Sequence, residues 1–248
     1  MIRSMEIASN APNEAVDEGT MFLIDKPLAW TSFDVVHRLR QTLGIAKAGH
    51  AGTLDPRATG LLIICTGRQT KRIQDFADLD KEYTGTFELG IRTPSFDLET
   101  PISKRAEMSG VTLEALEEIA RGFIGKQLQT PPMFSAVKHH GKPLYKYARK
   151  GKTLERKAKD IEIMEFSILS YTPPSVSFRI RCSKGTYIRA LVNDVGEILV
   201  CGAVLTELRR TRIGSFRVQD ALTIEEFSKR HEVSESLQSE AHEHRISA

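Results

Sequence analysis

Residues 161–182 read IEIMEFSILSYTPPSVSFRIRC, two strand-like runs on either side of a proline pair, and this stretch decides the fold class. In the second run Val176, Phe178, Ile180 and Cys182 alternate with polar residues, the two-residue period of a strand with one buried face. Residues 161–171 form the first run, and Pro173-Pro174 joins it to the second by a connection too short to hold a crossover helix. Strands joined in this way pair antiparallel. They exclude the strand-helix-strand alternation of a doubly wound sheet, so the chain belongs to the α+β class, with a large, mixed but mostly antiparallel sheet flanked by helices.

Working outward, Ser183-Lys184-Gly185 turns the chain into a helix with Ile188, Leu191, Val192 and Val195 inward. Residues 204–208 and 213–218 read as closing strands, and Thr223 with Glu226 makes a capping box for a last helix. On the other side, Thr112 opens a helix carrying Leu113, Leu116, Ile119 and Phe123. Residues 92–110 show no period and form a long functional or mobile connection. Tyr83, Gly85, Phe87 and Leu89 alternate as a half-exposed strand, and residues 70–79 form a helix with Ile73, Phe76 and Ala77 inward. Residues 61–65 are a buried strand. The first strand, 21–24, ends at Asp25-Lys26-Pro27. Thr31 and Ser32 then cap a helix with Val35, Leu39 and Leu43 on one side, His37, Arg38 and Arg40 on the other, and Gly44 as its stop.

The chain has 248 residues, 40% of them hydrophobic, enough for a full core. Its net charge of +3 is unevenly spread. Residues 1–19, read as a disordered leader, carry one Arg against four acids, and the polar tail 228–248 carries three basic residues against four acids. The stretch between therefore holds a surplus of seven positive charges, the sign expected of a partner to a polyanion. Cys65, Cys182 and Cys201 are odd in number and far apart, which excludes a disulfide framework and fits a reducing compartment. No apolar run is long enough to cross a membrane, and His37, His50, His139 and His140 have no metal-ligand spacing. A cytoplasmic monomer without metal or cofactor is expected.

Three stretches carry chemistry. The first is Gly49-His50-Ala51-Gly52-Thr53-Leu54-Asp55-Pro56, too rich in glycine for a helix and too polar for a core, hence an ordered loop. Leu-Asp-Pro is by itself a common turn in which Asp caps its own backbone; the alternative is a carboxylate held still and exposed for reaction. No Gly-Lys-Ser or Gly-Lys-Thr follows, so it is not a P-loop. The second is the segment 133–159, with nine Lys or Arg against the single acid Glu155 and with Tyr145 and Tyr147 among them. It is either a solvated face or an arm for nucleic acid, and its length favours the arm, since so many like charges repel unless a polyanion lies among them. The third is Ser183-Lys184-Gly185-Thr186-Tyr187-Ile188-Arg189. Its Arg189 is either a surface charge or a bidentate partner for a catalytic carboxylate.

In their order along the chain, several blocks resemble the TruB-type tRNA pseudouridine-55 synthases: Leu23-Ile24-Asp25-Lys26-Pro27, the loop from Gly49 to Pro56, Asp80-Lys81-Glu82-Tyr83, Ser183 to Arg189, and Leu208-Arg209-Arg210. The resemblance covers about residues 21–227. It implies a pseudouridine synthase fold for 20–227, with 133–159 as an RNA-gripping insertion. It further implies base flipping of uridine-55 in the T-arm of tRNA, without metal or cofactor. Asp55 matches the family's catalytic aspartate and nucleophile, Tyr83 its active-site tyrosine, Arg189 the partner of the aspartate, and Tyr187 and Leu208 pocket walls. His50 matches a residue beside the vacated base position and Lys26 a lysine supporting the active-site loop. Lys71 is a candidate phosphate contact, as are Lys138, Lys142, Lys146, Arg149 and Lys150 of the arm. The chain departs from many members at Ala51, where threonine is common, and in having a short polar tail where a PUA domain is expected. A synthase aimed at another RNA, or an RNA folding helper, stands as the alternative.

Overall fold

The computed structural model describes residues 19–231. Most of the expected leader and the tail beyond residue 231 lie outside the described residues. In chain order the elements begin with β1 (Met21–Lys26), α1 (Ser32–Leu43), β2 (Ala48–Ala51), β3 (Ala58–Thr66), a 3-10 turn (Gly67–Arg72) and α2 (Ile73–Ala77). They continue with β4 (Lys81–Leu89), β5 (Ile91–Arg92), β6 (Lys104–Arg105), α3 (Leu113–Gly122), β7 (Gly125–Gln129), β8 (Lys138–His139), β9 (Lys142–Pro143) and α4 (Leu144–Ala148). Then come β10 (Lys159–Thr172), β11 (Ser175–Cys182), α5 (Ile188–Ile198), β12 (Ala203–Ile213), β13 (Phe216–Arg217) and a last helix, α6, over 224–231. The class is α+β, and β1–β3, β2–β3, β4–β11, β7–β10, β10–β11, β12–β13, β5–β6 and β8–β9 all pair antiparallel.

The chain forms two compact units, one from the residues up to Leu79 together with those from Arg209 on, the other Asp80–Leu208. In the first, β3 lies between β1 and the end of β12, with β2 also on it. Leu61, Leu62, Ile63, Ile64 and Cys65 are all fully buried, because the strand is covered on both faces. Leu62 and Ile64 meet Phe22, Val35, Leu39 and Phe227 on one side. Leu61 and Ile63 meet Met21, Leu23, Phe76 and Val218 on the other. Each such side chain contributes about 2 kcal/mol, so this strand anchors whatever loop precedes it.

Helix α1 starts and stops where its residues dictate. Thr31 Oγ1 accepts from the Asp34 amide at 3.0 Å while the Asp34 carboxylate accepts from the Thr31 amide at 2.8 Å, closing the capping box. Gly44 takes the left-handed conformation, φ 63°, that ends the helix. A second box caps α6, where Thr223 and Glu226 exchange bonds of 2.8 and 3.1 Å.

Three expectations are revised. Ala48–Ala51 is strand β2, its glycine-rich sequence notwithstanding, because its backbone finds partners along β3 from Thr66 to Ile63. The helix expected over 70–79 is a 3-10 turn followed by the short α2, with Phe76 as its buried anchor. The two closing strands are one long strand, β12, and the pair Phe216–Arg217.

In the second unit the strand order is β12-β4-β11-β10-β7. Tyr83 lies opposite Ile180 and Phe87 opposite Val176, so the alternation read in both strands puts their large side chains on one face. Gly85 is required there: a Cβ would stand 2.8 Å from the Phe178 ring and 2.4 Å from the Glu207 carbonyl oxygen. The rings of Phe87, Phe178, Phe166 and Phe123 follow one another at 5.8, 6.2 and 6.2 Å, carrying the core from β4 to the end of α3.

Candidate active site

In the first unit Asp55 sits half-buried in a loop held at four points. Arg210, fully buried, donates from Nη2 to the Gly52 carbonyl at 3.0 Å and from Nε to Leu61 of β3 at 2.8 Å. Ser32 Oγ at the start of α1 accepts from the Leu54 amide at 2.9 Å. The Ala29 amide donates to the Pro56 carbonyl at 2.9 Å, and the Ala58 amide closes a turn onto the Asp55 carbonyl at 3.0 Å. A carboxylate so braced keeps its aim, which is what a nucleophile requires.

Lys26 stands behind this loop. Its side chain is fully buried, with Nζ donating to the carbonyls of Pro27 (2.9 Å) and Trp30 (2.6 Å). Burial lowers its pKa to about 8, against the pull of Asp55, which favours the charge; Arg210 pushes the same way as burial. Lys26 thus supports the loop through the 27–30 turn and places a positive charge in the field of Asp55. His50, on β2, is mostly buried and its pKa is lowered by burial and then by Arg210, so it is neutral at neutral pH. Its Nδ1 is buried with no hydrogen-bond partner among the described residues. Lys71 is exposed at the end of the 3-10 turn.

In the second unit Tyr83 is a buried side chain of β4 and Tyr187 caps the start of α5. Gln129, buried at the end of β7, fixes Tyr187: its Oε1 accepts from the Tyr187 amide at 2.8 Å and its Nε2 donates to the Tyr187 carbonyl at 3.1 Å. Two residues on, the Arg189 guanidinium is buried. It donates to the carbonyls of Ser95 and Phe134, each at 2.9 Å, and its Nε is 3.6 Å from the Asp97 carboxylate. Leu208 is half-buried in β12.

The 92–110 connection is an ordered knot. Thr93 and Ser95 both donate to the Asp97 carbonyl, at 2.6 and 3.0 Å, and Ser95 Oγ meets Thr100 Oγ1 at 2.8 Å. The Glu99 amide donates to Asp97 Oδ1 at 2.9 Å. Phe96 has φ 65°, a strained conformation for a bulky residue, held by the Leu205 amide on its carbonyl at 3.0 Å. The arm 133–159 contains the hairpin β8–β9 and helix α4, fastened by bonds from Leu144 to Val137 and from Tyr145 to Ser135. Lys138, Lys142, Lys146, Arg149 and Lys150 are all exposed on it.

Sequence reading assigned no role to Arg210, Gln129 or Asp97, and gave Ser32 only that of a helix cap. Arg210 appears in a quoted block, and its full burial is the signal of its importance, but burial of one arginine in a pair is invisible in sequence.

Comparison with known proteins places the chain among the pseudouridylate synthases. A model of the TruB family pseudouridylate synthase N-terminal domain matches residues 40–188, and one of the tRNA pseudouridylate synthase B C-terminal domain matches 189–245. The tRNA pseudouridine synthase B of Chloroherpeton thalassium is 52% identical over 212 residues, 84% of this chain and 88% of that protein. That of Flavobacterium johnsoniae is 46% identical over 219 residues, 86% of this chain and 96% of that protein. Among solved structures, a chain of a Cbf5-Nop10-Gar1 complex is 27% identical with a TM-score of 0.70; the match covers 92% of this chain but 59% of that one. The chain belongs to the TruB family of pseudouridine synthases. Among the described residues no helix is long and apolar enough to cross a membrane.

Proposed function

We propose that this chain converts uridine-55 in the T-arm of tRNA to pseudouridine with Asp55 as the covalent nucleophile. Family membership at 52% identity to a tRNA pseudouridine synthase B is the observation that carries the activity, and the bracing of the Asp55 loop supports the role of that residue. The uridine is flipped out of its loop, since the reacting atoms are out of reach in a stacked base. Asp55 forms an adduct to sugar or base, the N1–C1′ bond breaks, the uracil turns, a C5–C1′ bond forms, and the bond to Asp55 breaks to return the free carboxylate. The C5 proton leaves and N1 gains one, so the reaction is an isomerisation that needs no electron acceptor or group donor.

Each remaining residue has a chemical task. Tyr83 lies against the flipped base and receives the C5 proton. Arg189 keeps Asp55 ionised and aimed, the use to which a planar guanidinium is suited. Tyr187 and Leu208 wall the pocket and keep water from the adduct. His50, neutral and with a buried unpartnered nitrogen, stacks where the base has left. Lys71 and the arm cations take phosphates, and one chain acts alone.

Tritium release from 5-tritiated uridine in a tRNA transcript tests the proposal. Purified protein is expected to release label and Asp55→Asn none, while binding of a T-arm hairpin stays within a few-fold. Full release by the variant overturns the nucleophile, and release from a site other than position 55 overturns the substrate.

A further inference from the structure

Glu99 is held at both ends by residues of different function. Its amide donates to Asp97 Oδ1 at 2.9 Å, inside the knot that reaches Arg189, and its carboxylate pairs with Arg149 of the arm, Oε1 to Nη2 2.8 Å. Among the described residues Arg149 is the one cation of the arm's nine that is paired with a carboxylate. The pair is open to solvent, the side chains being 64% and 35% exposed, and the Tyr145 ring lies 5.3 Å from the Arg149 guanidinium carbon. An oriented, accessible guanidinium is the kind of group that takes a phosphate in a bidentate pair.

We propose that Glu99 holds, in the absence of RNA, the place that a phosphate of the RNA takes on Arg149, so that substrate binding exchanges one anion for the other. The inference rests on the reading of the arm as the RNA grip. A carboxylate and a phosphate compete for the same fork of donors, and the phosphate wins because it also releases counterions from the RNA. The exposed pair is weak enough to give way, yet its loss is charged against binding. Glu99 therefore sets how tightly the arm closes on RNA without touching the reaction. Its amide stays on Asp97 throughout, so the exchange leaves Arg189 in place.

The test is a double-mutant cycle read by fluorescence anisotropy of a T-arm hairpin at low salt, with single-turnover rates measured alongside. Glu99→Gln keeps the size and the amide bond and removes the competing charge; it is expected to tighten binding about two- to fivefold, the range an exposed pair allows, at an unchanged saturating rate. Arg149→Gln weakens binding, and adding Glu99→Gln to it changes nothing further. Unchanged or weaker binding by Glu99→Gln overturns the exchange, and so does an equal gain in the Arg149→Gln background, which reports bulk charge alone. The arm reading fails by a separate result, namely intact affinity after neutralisation of Lys142, Lys146 and Lys150. Full arm dependence with no gain from Glu99→Gln removes the exchange and leaves the arm.

Discussion

The Asp97 carboxylate lies 3.6 Å from Nε of Arg189, and the two side chains are 6% and 4% exposed. A buried pair of this kind joins the loop after β5 to the first turn of α5. Asp97 is itself held by the Glu99 amide, and Arg189 by two carbonyls, so the guanidinium has little freedom to turn. The pair is therefore a setting for the arginine assigned to Asp55.

Asp97→Asn keeps the shape and the bond from Glu99 but removes the charge facing Arg189. Removing one partner of a buried ion pair leaves the other charge uncompensated and costs about 3 kcal/mol or more, the loss of stability expected in denaturant melts. Residues that orient a functional side chain typically cost about ten- to a hundredfold in activity when replaced. A fall in single-turnover rate of that size, with hairpin affinity unchanged, is the expected result. A wild-type rate in a folded variant removes Asp97 from the setting of Arg189.

How much of this was legible in the sequence depended on how local the cause was. The α1 caps at Thr31 and Gly44, and the β10–β11 pairing around Pro173-Pro174, are local and were read directly. Strand β2 was not, since Gly49 and Gly52 argue for a loop and the partners that make residues 48–51 a strand lie along β3. The Thr93–Thr100 knot has no period because side-chain oxygens and backbone groups build it, and periodicity reports only repeated burial. The candidate site residues were matched to the family by motif. Asp97 and Arg210 were passed over because what marks them is burial beside a distant partner.

Gly60 and Gly44 both have positive φ, 102° and 63°, but differ in what surrounds them. A Cβ at Gly60 would stand 2.3 Å from the carbonyl oxygen of Arg210, where backbone cannot yield, while at Gly44 nothing lies within 4 Å. Gly44→Ala is expected to cost about 1–2 kcal/mol, the penalty of a left-handed conformation. Gly60→Ala adds a clash on the strand that carries Arg210 and is expected to cost more than about 4 kcal/mol, with loss of activity. Equal melting temperatures for the two variants contradict this account of the loop's support.

The arm makes a salt-dependent prediction. Neutralising Lys142, Lys146, Arg149 and Lys150, all exposed, removes up to four phosphate partners. Each lost contact lowers the slope of log affinity against log salt by about 0.9 if the T-arm stem behaves as duplex. Affinity is expected to fall most at low salt and the slope to flatten. A weakened affinity with an unchanged slope points to a disturbed arm, and an unchanged affinity to a solvated face.

Lys26 ties stability to pH with a sign opposite to that of a surface cation held by a carboxylate, such as Arg149. Its proton leaves near pH 8 in the folded chain and near 10.5 in an unfolded one, chiefly because burial disfavours the charge. Below pH 8 both states hold the proton, and the buried charge costs about 3 kcal/mol relative to the neutral amine. Between the two values the unfolded chain holds more protons, so this group's contribution to stability rises with pH and levels off above 10.5. Other groups titrate in the same range, so the useful quantity is the difference between the protein and Lys26→Met, which has no proton to lose there. That difference is expected to move in favour of the native chain by about 2 kcal/mol between pH 7 and 9.5, measured by urea melts at each pH. A flat difference means that Lys26 keeps its proton to high pH, and the positive charge behind Asp55 then persists throughout the range in which the enzyme is assayed.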